Sequence, residues 1–135
     1  MDYLFYFLFA FAVLLLGVQV YTAYRAHGMK GKPAPDLSFI EDPVQREQNR
    51  HLIYFFTPGC GACRSMTPVI DRLMRDHPQV IKLDASRRPD VARSFGVMAV
   101  PTMIVVVDGR IDQVLVGAQS ERKLLRVMDT VATKF

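Results

Sequence analysis

The chain has two cysteines, Cys60 and Cys63, placed three positions apart as Cys60-Gly61-Ala62-Cys63. This is not the dispersed, even-numbered pattern of a small secreted scaffold stapled by disulfides, and the pair reads as one built to react. A thiol is a nucleophile only as thiolate. A cysteine at the first position of a helix faces unpaired backbone N–H groups and the positive end of the helix dipole, both of which favour the anion. Residues 51–56 (HLIYFF) read as a buried strand and residues 61–77 as a helix, so Cys60 falls where the strand passes into the helix. Cys63, one turn further in, is expected to be more buried and within disulfide reach, able to attack a mixed disulfide formed at Cys60 and release the partner reduced. Cys60 is therefore the expected attacking thiol and Cys63 the resolving thiol, with their own disulfide as the redox group and no other cofactor. Gly61 is expected to let the loop turn closely before Ala62, and Arg64 reads either as a solvated side chain, the preferred reading, or as a small favourable field on the thiolate.

Other chemistries use the same spacing. A structural zinc site wants four ligands, and there is no second C-x-x-C or H-x-x-x-H, while His27, His51 and His77 are far apart in the chain. No metal ligand set is assigned on that basis. A soft-metal module that binds or delivers Cu(I) through both cysteines, helped by Met66, Met98 or Met103, is the alternative, set against the reading of those methionines as core filler. A redox-inert interaction domain is a third reading. The tetrapeptide alone does not decide among them.

The elements that must hold the pair follow from periodicity. Residues 42–49 read as a short helix, and the 61–77 helix carries Met66, Ile70, Leu73 and Met74 on one face. Residues 80–84 (VIKLD) read as a strand and 89–95 as a short helix opened by proline. Residues 103–107 and 111–116 read as strands joined through Asp108-Gly109, a hairpin signal. A last helix is expected after Ser120 as N-cap, with Leu124, Leu125, Met128 and Val131 turned inward. Short strands alternating with helical periods indicate one α/β domain, over residues 39–135.

Residues 3–24 contain no charged side chain and are long enough, at about 1.5 Å rise per residue, to cross a hydrocarbon core of about 30 Å as a helix. Tyr3, Tyr6, Tyr21 and Tyr24 lie near the ends of the run, where aromatic rings favour the membrane interface. A cleaved signal peptide would need a basic start and a small-x-small site, but Asp2 precedes the run and residues 23–26 (AYRA) make a poor site. Residues 1–24 are thus expected to be a single-pass anchor in a lipid bilayer, and residues 25–38 a tether of glycine, proline and basic residues. Counted literally, Arg25, Lys30 and Lys32 after the run place the domain on the cytoplasmic side. The formal net charge of +4 is scattered without aromatic interleaving and reads as a solvated surface, so no nucleic-acid partner is expected.

The stretch FFTPGCGACRSMTP at 55–68, the segment FGVMAVPT at 95–102, and Gly109 and Gly117 together resemble the thioredoxin superfamily, over nearly everything from about residue 39 to 134. The resemblance implies an α/β thioredoxin fold, a central mixed sheet flanked by helices, here behind an N-terminal transmembrane helix. It implies a thiol–disulfide oxidoreductase acting on a disulfide-bearing protein, paired with a thiol or a membrane electron donor. It implies that Pro68 kinks the active-site helix, and that Val100–Pro101 is cis, with Pro101 opposite the cysteines and the Val100 backbone available to an extended substrate. Lys82 matches the family's strand lysine and Gly117 the glycine before the last helix.

Departures bear on mechanism. Gly59 stands where the family usually has tryptophan, and Tyr54 where it usually has a buried acid. The resemblance therefore implies that Cys63 deprotonates less readily here unless water or Lys82 serves, and that Lys82 pairs either with Asp84 on its own strand face or as a simple surface ion pair. Gly61-Ala62 has neither the proline of reducing thioredoxins nor the histidine of strong oxidants, which leaves the direction of electron flow open. The segment GKPAPDLSF at 31–39 resembles the start of membrane-anchored extracytoplasmic members involved in cytochrome c maturation, without room for their extra hairpin and insertion. That likeness leans toward a periplasmic domain, against the count of basic residues.

Overall fold

The computed structural model describes residues 1–132. Its elements are α1 (Asp2–Met29), α2 (Pro43–Arg46), β1 (Arg50–Phe56), α3 (Gly61–Asp76), β2 (Val80–Asp84), α4 (Pro89–Ser94), β3 (Thr102–Val107), β4 (Arg110–Val116) and α5 (Glu121–Ala132). The four strands form one mixed sheet in the order β2-β1-β3-β4, with β1 parallel to β2 and antiparallel to β3, and β3 antiparallel to β4. This is the expected thioredoxin architecture.

Alternation along β1 explains the two-sided core, because successive side chains of a strand point to opposite faces. Ile53 and Phe55 pack with Val91 and Ala92 of α4 and with Phe95 just after it on one face. Leu52 and Tyr54 pack with Met66, Ile70 and Leu73 of α3 and Leu124 and Val127 of α5 on the other. Each fully buried large apolar side chain contributes about 1.5–3 kcal/mol of transfer free energy, so β1 is held from both sides and its C-terminal end is a rigid platform for the cysteine loop. The β3–β4 hairpin turns at Asp108 (φ 49°) and Gly109 (φ 75°), the pair of positive φ values that a two-residue turn of matching twist requires.

Some boundaries differ from expectation. Helix α2 stops at Arg46 rather than running to residue 49: Asp42 caps it through Val44 N–H at 2.9 Å, while the Arg46 side chain turns back to the Ile40 carbonyl and His51 Nε2 meets the Gln45 carbonyl at 2.8 Å. These side-chain bonds close the turn early and let β1 begin at Arg50. Leu124 is buried inside α5, with Leu125 and Met128 partly so, whereas Val131 falls outside the described side chains.

Helix α1 continues past residue 24 to Met29, and the chain after it does not hang free. Gly31 N–H donates to Ile111 O at 2.6 Å, Ile111 N–H to Lys32 O at 2.9 Å and Ala34 N–H to Gly109 O at 2.8 Å, with Pro33 bridged to Arg110. Part of the stretch read as tether thus covers the outer edge of β4, whose backbone groups would otherwise lack partners on that side. Gly96 has φ +70°, a backbone conformation that favours glycine, and a Cβ there would meet the flexible Met29 side chain of α1 at 2.6 Å and displace it. By length and composition α1 is able to cross a membrane, and its apolar window is unburied.

Candidate redox site

Cys60 is the N-cap of α3, with extended backbone (φ −81°, ψ 118°), and its Sγ accepts the Cys63 N–H at 3.2 Å. Sulfur here does what a serine or aspartate oxygen does at an ordinary N-cap, satisfying one of the orphan donors of the first turn. Cys60 and Cys63 are joined as a disulfide with Cα atoms 5.2 Å apart. Cys63 is buried and Cys60 partly exposed, which makes Cys60 the sulfur that an incoming partner meets. After reduction, a Cys60 thiolate would face the same N–H and the same dipole, which lowers the free energy of the anion relative to a free thiol.

The glycines of the loop act differently from expectation. A Cβ at Gly59 or Gly61 would find nothing within 4 Å, and neither residue has a left-handed φ. Gly61 is therefore not demanded by a tight turn, which corrects that reading. The two glycines leave open space on both sides of Cys60 where side chains would otherwise screen the sulfur.

The Val100–Pro101 peptide bond is cis, in line with the resemblance. The Val100 carbonyl oxygen lies 3.7 Å from Cys60 Sγ, and Pro101 is buried behind it. Two bonds clamp this loop: Gly117 N–H donates to Pro101 O at 2.8 Å, and the Thr102 hydroxyl to Ala99 O at 2.6 Å. Gly117 has φ +87°, so its backbone can present that N–H only in a conformation that side-chain-bearing residues disfavour. A groove of about 280 Å³ opens beside the disulfide, its lining including Phe56, Cys60, Cys63, Arg64, Thr67 and Pro68. Pro68 lies inside α3 as expected and deprives the Arg64 carbonyl of its usual donor four residues on.

Tyr54, noted from sequence only as a missing acid, has a definite place. Its side chain is fully buried, its hydroxyl donates to Cys63 O at 3.2 Å, and it lies 3.4 Å from Thr67 Oγ1. Thr67 itself donates to Cys63 O at 2.9 Å. Burial pushes the Tyr54 phenol above its ordinary value, so it stays neutral under the resolving cysteine. Thr67 was missed by sequence reasoning. The available signal was a threonine four residues after Cys63, the spacing at which a helical hydroxyl reaches back to a carbonyl.

Lys82 forms a surface ion pair with Asp71 of α3, Nζ to Oδ1 at 2.9 Å, and lies 5.6 Å from the centroid of the Phe56 ring. The pairing with Asp84 is not formed. Asp84 instead accepts from the Ser86 N–H at 2.9 Å and the Ser86 hydroxyl at 2.6 Å. Lys82 adjoins the site through Phe56, whose ring stacks on Tyr54 with centroids 5.6 Å apart. Of the methionines considered for a soft metal, Met66 and Met103 are buried in the core, with Met66 Sδ accepting the Gln119 N–H at 3.3 Å, and Met98 is exposed. Among the described residues, no group of three or more His, Cys, Asp or Glu is gathered to hold a metal ion.

Known proteins share this framework. The family model described as Thioredoxin matches residues 36–130. Thioredoxin 1 of Synechococcus elongatus is 32% identical over 81 residues, which is 58% of this chain and 76% of that protein. The thioredoxin of Staphylococcus aureus is 34% identical over 86 residues, 62% of this chain and 83% of its own. The solved structure of a point mutant of thioredoxin from Halobacterium salinarum superposes with a TM-score of 0.64 at 25% identity, covering 76% of this chain and 90% of that one.

Proposed function

The chain belongs to the thioredoxin family and is a thiol–disulfide oxidoreductase; from that premise we propose that it reduces or exchanges protein disulfides through Cys60 and Cys63 while tethered to a membrane by α1. The observation that carries the first part is the position of the Cys60 sulfur, an N-cap at a helix start with Cys63 bonded beneath it and the cis-proline loop against it.

In the reduced enzyme, the Cys60 thiolate attacks one sulfur of a substrate disulfide. A mixed disulfide forms and the other substrate sulfur leaves as thiolate. Cys63 then loses its proton to water in the groove and attacks Cys60 Sγ. The intermolecular bond breaks, its electron pair leaves on the substrate sulfur, and the Cys60–Cys63 disulfide remains. Two electrons have moved to the substrate, and a thiol or membrane-bound donor returns two to the enzyme. Val100 and Pro101 flank the incoming substrate strand, Gly117 holds their loop, and Tyr54 with Thr67 holds the Cys63 carbonyl.

The tether reading is supported by the length and apolar composition of α1 and by tyrosines near both ends. We take the domain to lie on the extracytoplasmic side, as the likeness at residues 31–39 favours, against the basic residues that follow the helix. Reduced full-length chain in detergent is expected to reduce insulin disulfides, and Cys63→Ser to accumulate partners linked to Cys60. An inactive wild type with nothing trapped on the variant refutes the redox reading. Labelling of Cys60 on intact cells with a membrane-impermeant maleimide tests the side, and protection in intact cells with labelling after lysis reverses it.

A further inference from the structure

The direction in which α1 leaves the domain is set by its contacts with β4 and with residues 96–102. Gly31 and Lys32 are bonded to Ile111, near the start of β4. Met29 lies against Gly96. Further toward the N-terminus, Tyr21, Thr22 and Arg25 share an apolar groove of about 200 Å³ with Met98, Ala99, Thr102, Val114 and Val116. The last turns of α1, about 12 Å from residue 21 to 29, therefore run alongside β4 toward its C-terminal end. That end adjoins the cysteines, because Val116 pairs with Thr102, Gly117 bonds Pro101, and Val100 O is 3.7 Å from Cys60 Sγ. Beyond Tyr21 the large apolar side chains of α1 are exposed, so the apolar length of the helix projects past the disulfide edge of the sheet rather than past the hairpin at Asp108.

A second observation agrees. Beyond the end of α1, the exposed large hydrophobic residues among those described are Val44, Met98 and Val116, and the last two sit on this same edge. The loops at 57–63, 96–102 and 114–120 that surround the disulfide contain no charged residue. Arg64 of α3 lines the groove beside the disulfide, but the loops themselves are uncharged, and with Met98 and Val116 protruding they suit contact with a lipid interface or with a protein embedded in one.

We infer that the disulfide edge of the domain is held facing the bilayer surface, so that the partner exchanging electrons at Cys60 is a thiol or disulfide carried by a membrane protein close to the lipid headgroups. The inference rests on the tether reading and names the partner class for the same cysteines. Ala99 shares the groove with Tyr21 and precedes Val100, whose oxygen is 3.7 Å from Cys60 Sγ, so a gap of about 10–15 Å at most separates that sulfur from the groove along which the helix leaves. A bulky water-soluble protein must fit its disulfide into that gap, whereas a small disulfide or a membrane-borne one need not.

The test uses full-length chain in lipid nanodiscs with a quencher on the headgroups. A fluorophore on Cys60 in the Cys63→Ser variant is compared with one at the far end of the sheet, in Cys60→Ser/Cys63→Ser/Asp108→Cys. Because β4 spans about 20 Å between the two edges, quenching at Cys60 is expected to be at least about three-fold stronger. Equal quenching, or stronger quenching at residue 108, overturns the inference while leaving the tether intact. A chain that does not co-migrate with the discs overturns the tether, and the inference with it. As a second measurement, a Gly/Ser insertion of about 12 residues between Met29 and Lys30, reaching about 20 Å as a flexible coil, frees the domain to turn. It is expected to raise insulin reduction by the disc-held enzyme about five-fold or more and to leave reduction of a small aromatic disulfide unchanged. An insertion that changes neither rate, or both equally, refutes the orientation.

Discussion

Replacing Tyr54 by phenylalanine removes one hydroxyl from beneath the resolving cysteine and leaves the ring packed between Phe56 and the α3 face. The lost contacts are the donation to Cys63 O at 3.2 Å and the approach to Thr67 Oγ1 at 3.4 Å, both longer than the usual O–H···O bond. The Cys63 carbonyl keeps the Thr67 hydroxyl at 2.9 Å, so no buried acceptor is orphaned and the larger penalty for an unsatisfied group does not apply. The expected loss is about 1 kcal/mol, which for a domain of this size lowers Tm by about 4–8 °C, read by circular dichroism of the oxidised full chain.

If the bond persists in the transition state for resolution, release of a small thiol from a preformed Cys60 mixed disulfide slows by up to about five-fold. Alkylation of Cys60 in the reduced enzyme is unchanged, because its cap comes from the Cys63 N–H and not from the carbonyl. The pH dependence gives an independent sign. Tyr54 has a raised folded value from burial, so its contribution is full below the unfolded value near 10 and is lost as pH rises from there toward the folded one. The stability gap between wild type and Tyr54→Phe therefore narrows above about pH 10. A variant with unchanged or higher Tm, or a gap that widens in alkali, refutes the role given to the hydroxyl.

Gly117→Ala meets no neighbour within 4 Å, so its effect is the cost of a left-handed residue at φ +87°; a loss of about 1–2 kcal/mol is expected in urea unfolding, with weaker insulin reduction as the bond to Pro101 loosens. Lys82→Met removes an exposed ion pair worth less than about 1 kcal/mol and is expected to leave turnover within about two-fold; a loss beyond about ten-fold would reveal the lysine serving Cys63 as a proton acceptor. The carboxyls of Asp84 and Asp90 are held below the usual range by hydrogen bonds from Ser86 and Arg88. Their stabilisation is present above the unfolded value near 4 and is lost as pH falls through the folded values, so Tm drops below about pH 4, and Asp84→Asn should flatten that limb.

Much of the site was legible because it is written in local pattern. The Cys60-to-Cys63 spacing, the apolar strand before it and the helical period after it place a sulfur at an N-cap without reference to anything distant. Asp108-Gly109 specifies its hairpin through backbone sterics alone, and the segment before Pro101 was recognisable by its likeness to a family loop. The order and type of the elements, with small shifts at the ends of α2 and β1, followed from periods of two and near four that each element carries in itself.

The pairings between elements were not legible. Asp84 is two residues from Lys82 on one strand face, about 7 Å along the backbone, yet the lysine takes Asp71, because α3 packs over β2 and brings that carboxylate to 2.9 Å. Tyr54 could be read as an absent acid, but its hydroxyl acquired a function only when the first turn of α3 set the Cys63 carbonyl and Thr67 above it. Residues 31–34 looked like a free linker because nothing in their composition announces a partner; the unpaired edge of β4 supplied one, and with it the course of α1 toward the disulfide edge. Spacing along a chain determines which face of an element a side chain occupies. Which faces meet is decided by how all the elements bury their apolar surface together, and that is a property of the whole fold.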